Sequence, residues 1–152
     1  MIAYIALGSN HGDRAAHLRR ALEALPAAGV RPLRLSVLRS TAPVGATGRA
    51  RFLNAVAEVE TALPPQVLLA RLRQIERAAG RHRSRPAHRK TPRALDLDLI
   101  LYGNARLRTP ALTVPHPAFS SRRFVLDGLV DLAPGLRPPA TALTVRQLLR
   151  RA

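Results

Sequence analysis

An α+β sandwich, with a mostly antiparallel sheet and helices on its faces, is the fold class that three features of this 152-residue sequence predict. Several segments alternate apolar and polar residues with period two, as half-buried strands do. Other segments space their apolar residues three and four apart, as amphipathic helices do. The two kinds follow one another as strand–helix–strand–strand–helix–strand. That order is the split βαβ pattern of a ferredoxin-like sandwich.

Each element has its own warrant. Residues 2–7 form an apolar strand that ends at the Gly8-Ser9-Asn10 turn. Asp13 is placed to cap a helix whose stripe is Ala15, Leu18, Leu22 and Leu25, closed by Pro26 and Gly29. Leu33, Leu35 and Val37 alternate with polar residues, which predicts a second strand running towards Ser40. Pro43, Gly45 and Gly48 make the next stretch a loop. A third strand spans Phe52 to Glu60, with Leu53, Ala55, Ala57 and Val59 on one face and Phe52, Asn54, Val56 and Glu58 on the other. Pro64 and Pro65 open a second helix with the stripe Leu68, Leu72, Ile75 and Ala79, and Gly80 stops it. Leu95, Leu97, Leu99 and Leu101 then alternate with Asp96, Asp98, Ile100 and Tyr102 as a fourth strand. Gly103-Asn104 is a turn, 106–109 a short strand, and Val125, Leu129 and Leu132 mark a helix over about 122–132. Thr144 caps a last short helix through Leu149.

Length and composition bound the rest. The chain suits one domain, residues 1–152, with a core of Leu, Val, Ile and Ala, because aromatics are only 3% and tryptophan is absent. It has no cysteine, which excludes disulfides and thiolate metal sites and fits a reducing compartment. No apolar run approaches the roughly 20 residues of a membrane span, and the N-terminus reads as a strand rather than a signal peptide. A cytoplasmic protein with no membrane partner is the expectation. The net charge of +16 comes from 25 Lys+Arg against 9 Asp+Glu. It points to an anionic partner, although arginine-rich composition spread over solvated faces explains much of the bulk charge.

The chemistry concentrates in one place. Asp96 and Asp98 share a strand face, with backbone positions about 7 Å apart, in a strand otherwise rich in leucine. Unpaired carboxylates there are costly, whereas a carboxylate pair can clamp one or two Mg²⁺ ions. Just before them, residues 81–93 carry six cations, two histidines and no acid. Arg81, Arg83 and Arg93 flank the acid pair, and arginine grips phosphate through parallel hydrogen bonds. His116 lies between Pro115 and Pro117, which restrict where its ring points, and can donate to a phosphate. Arg122 is a further candidate phosphate contact. Phe52 and Phe124 can stack on a flat ring, and Asn54 offers the donor and acceptor that a heterocycle edge requires. The sequence has no P-loop and no Gly-x-Gly-x-x-Gly helix opening. Gly45-Ala46-Thr47-Gly48 matches the GXXG of KH domains, but strands rather than helices flank it.

These pieces, taken in order, resemble the 6-hydroxymethyl-7,8-dihydropterin pyrophosphokinase family of folate biosynthesis. The resemblance runs from Tyr4 to about Gly135. It rests on Ala6-Leu7-Gly8-Ser9-Asn10, Thr41-Ala42-Pro43-Val44-Gly45, Phe52-Leu53-Asn54-Ala55, Ile75-Glu76 with Gly80-Arg81, and Pro92-Arg93-Ala94-Leu95-Asp96-Leu97-Asp98. Val114-Pro115-His116-Pro117 and Arg122-Arg123-Phe124-Val125-Leu126 complete it. The resemblance implies a ferredoxin-like fold, small-molecule substrates, and transfer of pyrophosphate from ATP to the pterin hydroxymethyl group with release of AMP; no apolar face asks for a partner, so a monomer is the expectation. It implies two Mg²⁺ ions on Asp96 and Asp98, and Arg81, Arg83 and Arg93 acting on the phosphates. Arg73, Leu99, Thr113, His116 and Arg122 would contact ATP; Thr41, Ala42, Val44, Phe52, Asn54 and Phe124 would hold the pterin. The chain departs from the family in three places. Lys90-Thr91 replace a common Trp-Gly, Arg73 stands where a glutamine is common, and Ala111 stands where some members carry an arginine. The rival class is a basic nucleic-acid-binding domain of the same fold. Net charge favours it, while the strand acids and the scarcity of aromatics oppose it.

Overall fold

A computed structural model of the protein describes residues 1–42, 51–80 and 94–152. In chain order the elements are β1 (Ile2–Ser9), α1 (Arg14–Ala24), β2 (Val30–Leu35), β3 (Arg39–Thr41), β4 (Phe52–Thr61), α2 (Pro65–Ala78), β5 (Asp96–Tyr102), β6 (Leu107–Arg108), β7 (Thr113–Val114), α3 (Arg123–Leu132) and α4 (Val145–Arg151). The main sheet runs β2-β4-β1-β5, all neighbours antiparallel, with β3 also paired to β4. This is the ferredoxin-like α+β arrangement the element order predicts.

Local chemistry sets the helix ends where the sequence places them. The Asp13 side chain accepts from the Ala16 N–H at 3.1 Å and so caps α1. Thr144 and Gln147 form a reciprocal capping box on α4. Gly80 takes a φ of +97° just past α2, a conformation that costs a β-carbon-bearing residue about 1 kcal/mol or more. No helix among the described residues is long and apolar enough to cross a membrane.

The two faces of the sheet carry separate cores. On one, Ile5, Leu7, Ala57, Val59, Leu97 and Leu99 meet Leu18, Ala21 and Leu25 of the α1 region and Leu68 and Leu72 of α2. On the other, Tyr4, Ala6, Val56 and Ile100 meet Val125, Leu129 and Leu132 of α3 and Val145 of α4. Gly128 is what lets α3 approach so closely: a β-carbon there would lie 2.4 Å from Val56 Cγ2 and 2.8 Å from its Cβ. Gly128→Ala is therefore expected to destabilise the fold by about 1–3 kcal/mol through overpacking. A urea titration tests this, and an unchanged midpoint would contradict it.

Three details differ from the periodicity reading. The stripe of α1 is rotated: Ala16, Leu18, Ala21 and Leu25 are buried, while Ala15 is exposed and Leu22 only half-buried. The second strand does not run unbroken to Ser40. Ser36 is buried between β2 and β3, where its hydroxyl accepts from the Val56 N–H at 2.8 Å in place of a strand partner. Leu33, Leu35 and Val37, whose alternation marks the strand, are exposed at this sheet edge. In β5 the register slips at Ile100, because Tyr4 pairs with Leu101 while Ile5 pairs with Leu99. A bulge of this kind switches the faces of all that follows. Leu101 joins the α3-side core with Ile100, and Tyr102 joins the α1/α2-side core, its hydroxyl donating to the Leu63 carbonyl.

A long-range pair locks the β2–β3 segment to α3. Arg39 Nη1 and Nη2 grip Asp131 at 2.8 and 3.0 Å, and the Val37 N–H donates to the same carboxylate at 3.1 Å. The Arg39 side chain, aided by Val37, holds the Asp131 carboxyl below its ordinary value of 3.8, against burial. Its contribution is thus fully present above pH ~4 and lost as pH falls through the depressed folded-state value. Arg39→Gln is expected to lower stability by about 1 kcal/mol at neutral pH, or about 2–4 °C in Tm. The same variant flattens the decline of Tm below pH 4. Parallel acid limbs for variant and wild type would refute the assignment.

Candidate active site

The site forms at one end of the sheet on the α3 side. Its organising row crosses three strands: Gly8 of β1 stands opposite Asn54 of β4 and Asp96 of β5. Two residues along, Ala6 stands between Val56 and Asp98. Pleating puts these alternate residues on a common face. The small central residues leave a floor between Asn54 and the acid pair. A β-carbon on Gly8 would sit 2.8 Å from Asn54 Oδ1 and 3.6 Å from Phe52 Cδ1, so the glycine is required by close approach.

Asn54 is buried, and its Nδ2 donates to Thr41 Oγ1 at the end of β3. Phe52 and Phe124 are half-buried on this same side, Phe124 in the first turn of α3 against the core beneath. Ala42 is exposed just beyond Thr41. The structure brings Thr41, Phe52 and Asn54 together at one corner. Val44, Arg81, Arg83 and Arg93 lie outside the described residues.

Asp98 has a side chain 27% exposed, with guanidinium groups on two sides. Arg73 Nη2 is 3.9 Å from Oδ1, and Arg122 Nη1 is 3.9 Å from Oδ2. His116 completes the cluster. Its backbone N–H donates to the Ile100 carbonyl at 2.9 Å, pinning the Pro115-His116-Pro117 turn to the edge of β5. The peptide bond between Val114 and Pro115 is cis. His116 Nδ1 accepts from the Ala118 N–H at 3.0 Å. The ring proton of the neutral imidazole therefore sits on Nε2, available as a donor. Burial pushes the ring below its ordinary value of 6.5; Asp98 pulls it up, and Arg122 and Arg73 push it down.

Two of the sequence-based candidates sit differently from the rest. The Leu99 side chain is buried in the core on the opposite face, so only its backbone can reach a ligand. Thr113 lies in β7, half-buried, beside Val114 whose side chain enters that same opposite core.

Glu76, to which the sequence alone assigns no role, holds Leu97 between the two acids. Its side chain is 1% exposed in α2. Oε2 accepts from the Leu97 N–H at 2.7 Å, and Oε1 accepts from Arg73 Nη1 at 3.0 Å. Arg73 Nη1 in turn donates to the Leu97 carbonyl at 2.7 Å. Leu97, lying between the two aspartates, thus has both backbone groups satisfied by one helix. The signal available in sequence was a charged residue on the buried stripe of α2, one position after Ile75.

The acid pair suits a hard divalent ion. Both donors are carboxylate oxygens, and among the described residues no cluster of three or more His, Asp or Glu forms a closed protein cage. Mg²⁺ is commonly held by one or two carboxylates, with substrate phosphates and water filling the remaining positions.

Carboxylates with arginines and a histidine beside them are the groups that hold a metal-bound phosphate, as in enzymes that transfer phosphoryl groups. Comparison with known proteins narrows this. The chain belongs to the 7,8-dihydro-6-hydroxymethylpterin-pyrophosphokinase (HPPK) family, whose family model matches residues 4–134. It is 41% identical over 147 residues to the 2-amino-4-hydroxy-6-hydroxymethyldihydropteridine pyrophosphokinase of Bacillus subtilis, covering 96% of this chain and 86% of that one. It is 42% identical over 139 residues to the protein of the same description from Pseudomonas aeruginosa, covering 90% and 83%. Among solved structures, Plasmodium falciparum HPPK-DHPS with pteroate superposes with a TM-score of 0.78 at 14% identity, covering 99% of this chain and 42% of that longer one. At that identity the likeness speaks to fold alone. The family membership makes the chain a pyrophosphokinase of folate biosynthesis.

Proposed function

We propose that the protein transfers the pyrophosphoryl group of ATP to the hydroxymethyl oxygen of 6-hydroxymethyl-7,8-dihydropterin, releasing AMP. The observation that carries this reading is the single sheet face on which Asn54, Gly8, Asp96 and Asp98 stand in register, with Arg122, Arg73 and His116 beside the acids. The pterin edge takes the donor and acceptor of Asn54, with Thr41 and Ala42 at the rim and Phe52 and Phe124 against the ring. The triphosphate lies over Asp96 and Asp98, where Arg122 and the His116 Nε2–H meet its oxygens, joined by Arg81, Arg83 and Arg93. Thr113 and the Leu99 backbone face the nucleotide.

The reaction forms a bond between the hydroxymethyl oxygen and the β-phosphorus and breaks the bond from that phosphorus to the oxygen bridging to the α-phosphorus. That oxygen leaves with AMP, and the hydroxyl proton passes to solvent. Asp96 and Asp98 would hold Mg²⁺, two ions in this reading, which when bound offsets charge on the phosphate oxygens. The protein's own contribution is positioning and fixed charge. The Asn54 corner orients the acceptor. The guanidinium groups stabilise the charge that develops on the bridging oxygen. The reading treats residues 1–152 as one catalytic domain acting on small molecules.

Incubating the protein with ATP, Mg²⁺ and the reduced pterin should yield AMP and the pterin pyrophosphate in equal amounts. ADP, or no nucleotide product accompanied by salt-sensitive RNA binding, would overturn the proposal in favour of a nucleic-acid-binding role. Gly8→Ala pushes a methyl group into Asn54. It is expected to raise the KM for the pterin about tenfold, the effect of displacing one good hydrogen-bonding group, while the KM for ATP changes little. Equal effects on both would contradict the assignment of this corner to the pterin.

A further inference from the structure

Among the described residues, Arg73 differs from Arg122 in how it is held. Its Nη1 donates both to Glu76 Oε1 at 3.0 Å and to the Leu97 carbonyl at 2.7 Å. Glu76 is itself buried and bonded to the Leu97 N–H at 2.7 Å. Swinging Arg73 away would strip partners from a buried carboxylate and from a strand carbonyl, so the guanidinium is fixed in place. Its Nη2 remains, aimed at Asp98 Oδ1 from 3.9 Å. Among the described residues the other guanidinium facing Asp98 is that of Arg122, whose side chain is 41% exposed against 24% for Arg73.

A fixed positive charge beside a carboxylate attracts that carboxylate and repels any further cation approaching it. We infer that Arg73 is a built-in counter-cation that keeps Asp98 from taking up a bare divalent ion, so that metal enters together with the nucleotide. Phosphate oxygens bring negative charge to the same spot, offset the guanidinium and lift the penalty. Metal and nucleotide are then coupled, each strengthening the other's binding by the same factor. Arg73 is in this sense a positioning and selectivity residue, acting through Asp98. The inference rests on the reading of Asp96 and Asp98 as metal-holding residues.

The test is a Mn²⁺ titration of the whole chain, followed by electron paramagnetic resonance, with and without a non-hydrolysable ATP analogue. Wild-type protein should bind Mn²⁺ about tenfold or more tightly with the analogue present. Arg73→Gln keeps a donor for the Leu97 carbonyl and removes the charge. It should tighten nucleotide-free Mn²⁺ binding about tenfold, whereas Arg73→Lys, which keeps the charge, should remain as weak as wild type. A rise of less than about threefold in Arg73→Gln overturns the inference. So does wild-type affinity that is the same with and without the analogue, a measurement that needs no variant to fold. If wild-type protein binds no Mn²⁺ even with the analogue, the metal reading itself fails. If it does bind but Arg73→Gln is not tightened, only the role of Arg73 fails.

Discussion

Asp98→Asn is expected to lower AMP production by about a thousandfold or more while the protein stays folded. The carboxylate charge would hold Mg²⁺ against the triphosphate, and metal stabilisation of phosphoryl oxygens is worth several kcal/mol of barrier; each 1.36 kcal/mol is a factor of about ten in rate. The fold, by contrast, depends little on this group. Its side chain is partly exposed, and its charged neighbours stand at 3.9 Å rather than at close hydrogen-bond distance. Asparagine has the same size and keeps the strand intact. A melting curve taken beside the turnover assay separates the two effects. Turnover within tenfold of wild type would exclude Asp98 from the metal site.

Glu76→Ala should act the other way round, striking the fold first. The substitution removes both acceptors from a side chain that is 1% exposed, leaving the Leu97 N–H without that partner and Arg73 Nη1 short of a carboxylate. Breaking a buried charge pair on one side typically costs about 3–5 kcal/mol. For a chain of this size that is about 10 °C of Tm. Glu76→Gln should fall between alanine and wild type, since its carbonyl can still accept from Leu97 while its NH₂ confronts Arg73. Because Leu97 lies between Asp96 and Asp98, the surviving folded fraction should also bind Mn²⁺–nucleotide more weakly. A Glu76→Ala protein as stable as wild type would show that the contact between α2 and β5 does not depend on this residue.

The two variants together distinguish chemistry from support. In the proposed reaction Asp98 would meet the ligand, and its loss would cost the fold little. Glu76 would act from beneath, by holding the peptide of Leu97 between the two aspartates. Arg73 joins the two roles, tied at one nitrogen to the support and pointed with the other at the carboxylate.

What the chain's order of residues determined unaided was everything governed by short range. Alternation over a few residues put Asp96 and Asp98 on one side of a strand, and Asn54 and Phe52 on one side of another, because successive side chains of an extended backbone must point opposite ways. Asp13, Thr144 and Gly80 marked helix ends, because an orphan N–H or a left-handed turn has few chemical solutions. The sequence of motifs identified the family, and the family model matches the same stretch. Only the tertiary structure decided the strand register that aligns Gly8 with Asn54 and Asp96, the bulge at Ile100 that reverses Leu101 and Tyr102, the clip from Glu76 and Arg73 onto Leu97, and the grip of Arg39 on Asp131. Those contacts join residues as far as 92 positions apart. Their partners are chosen by how whole layers pack and slide into register, and no local window of the chain contains that information.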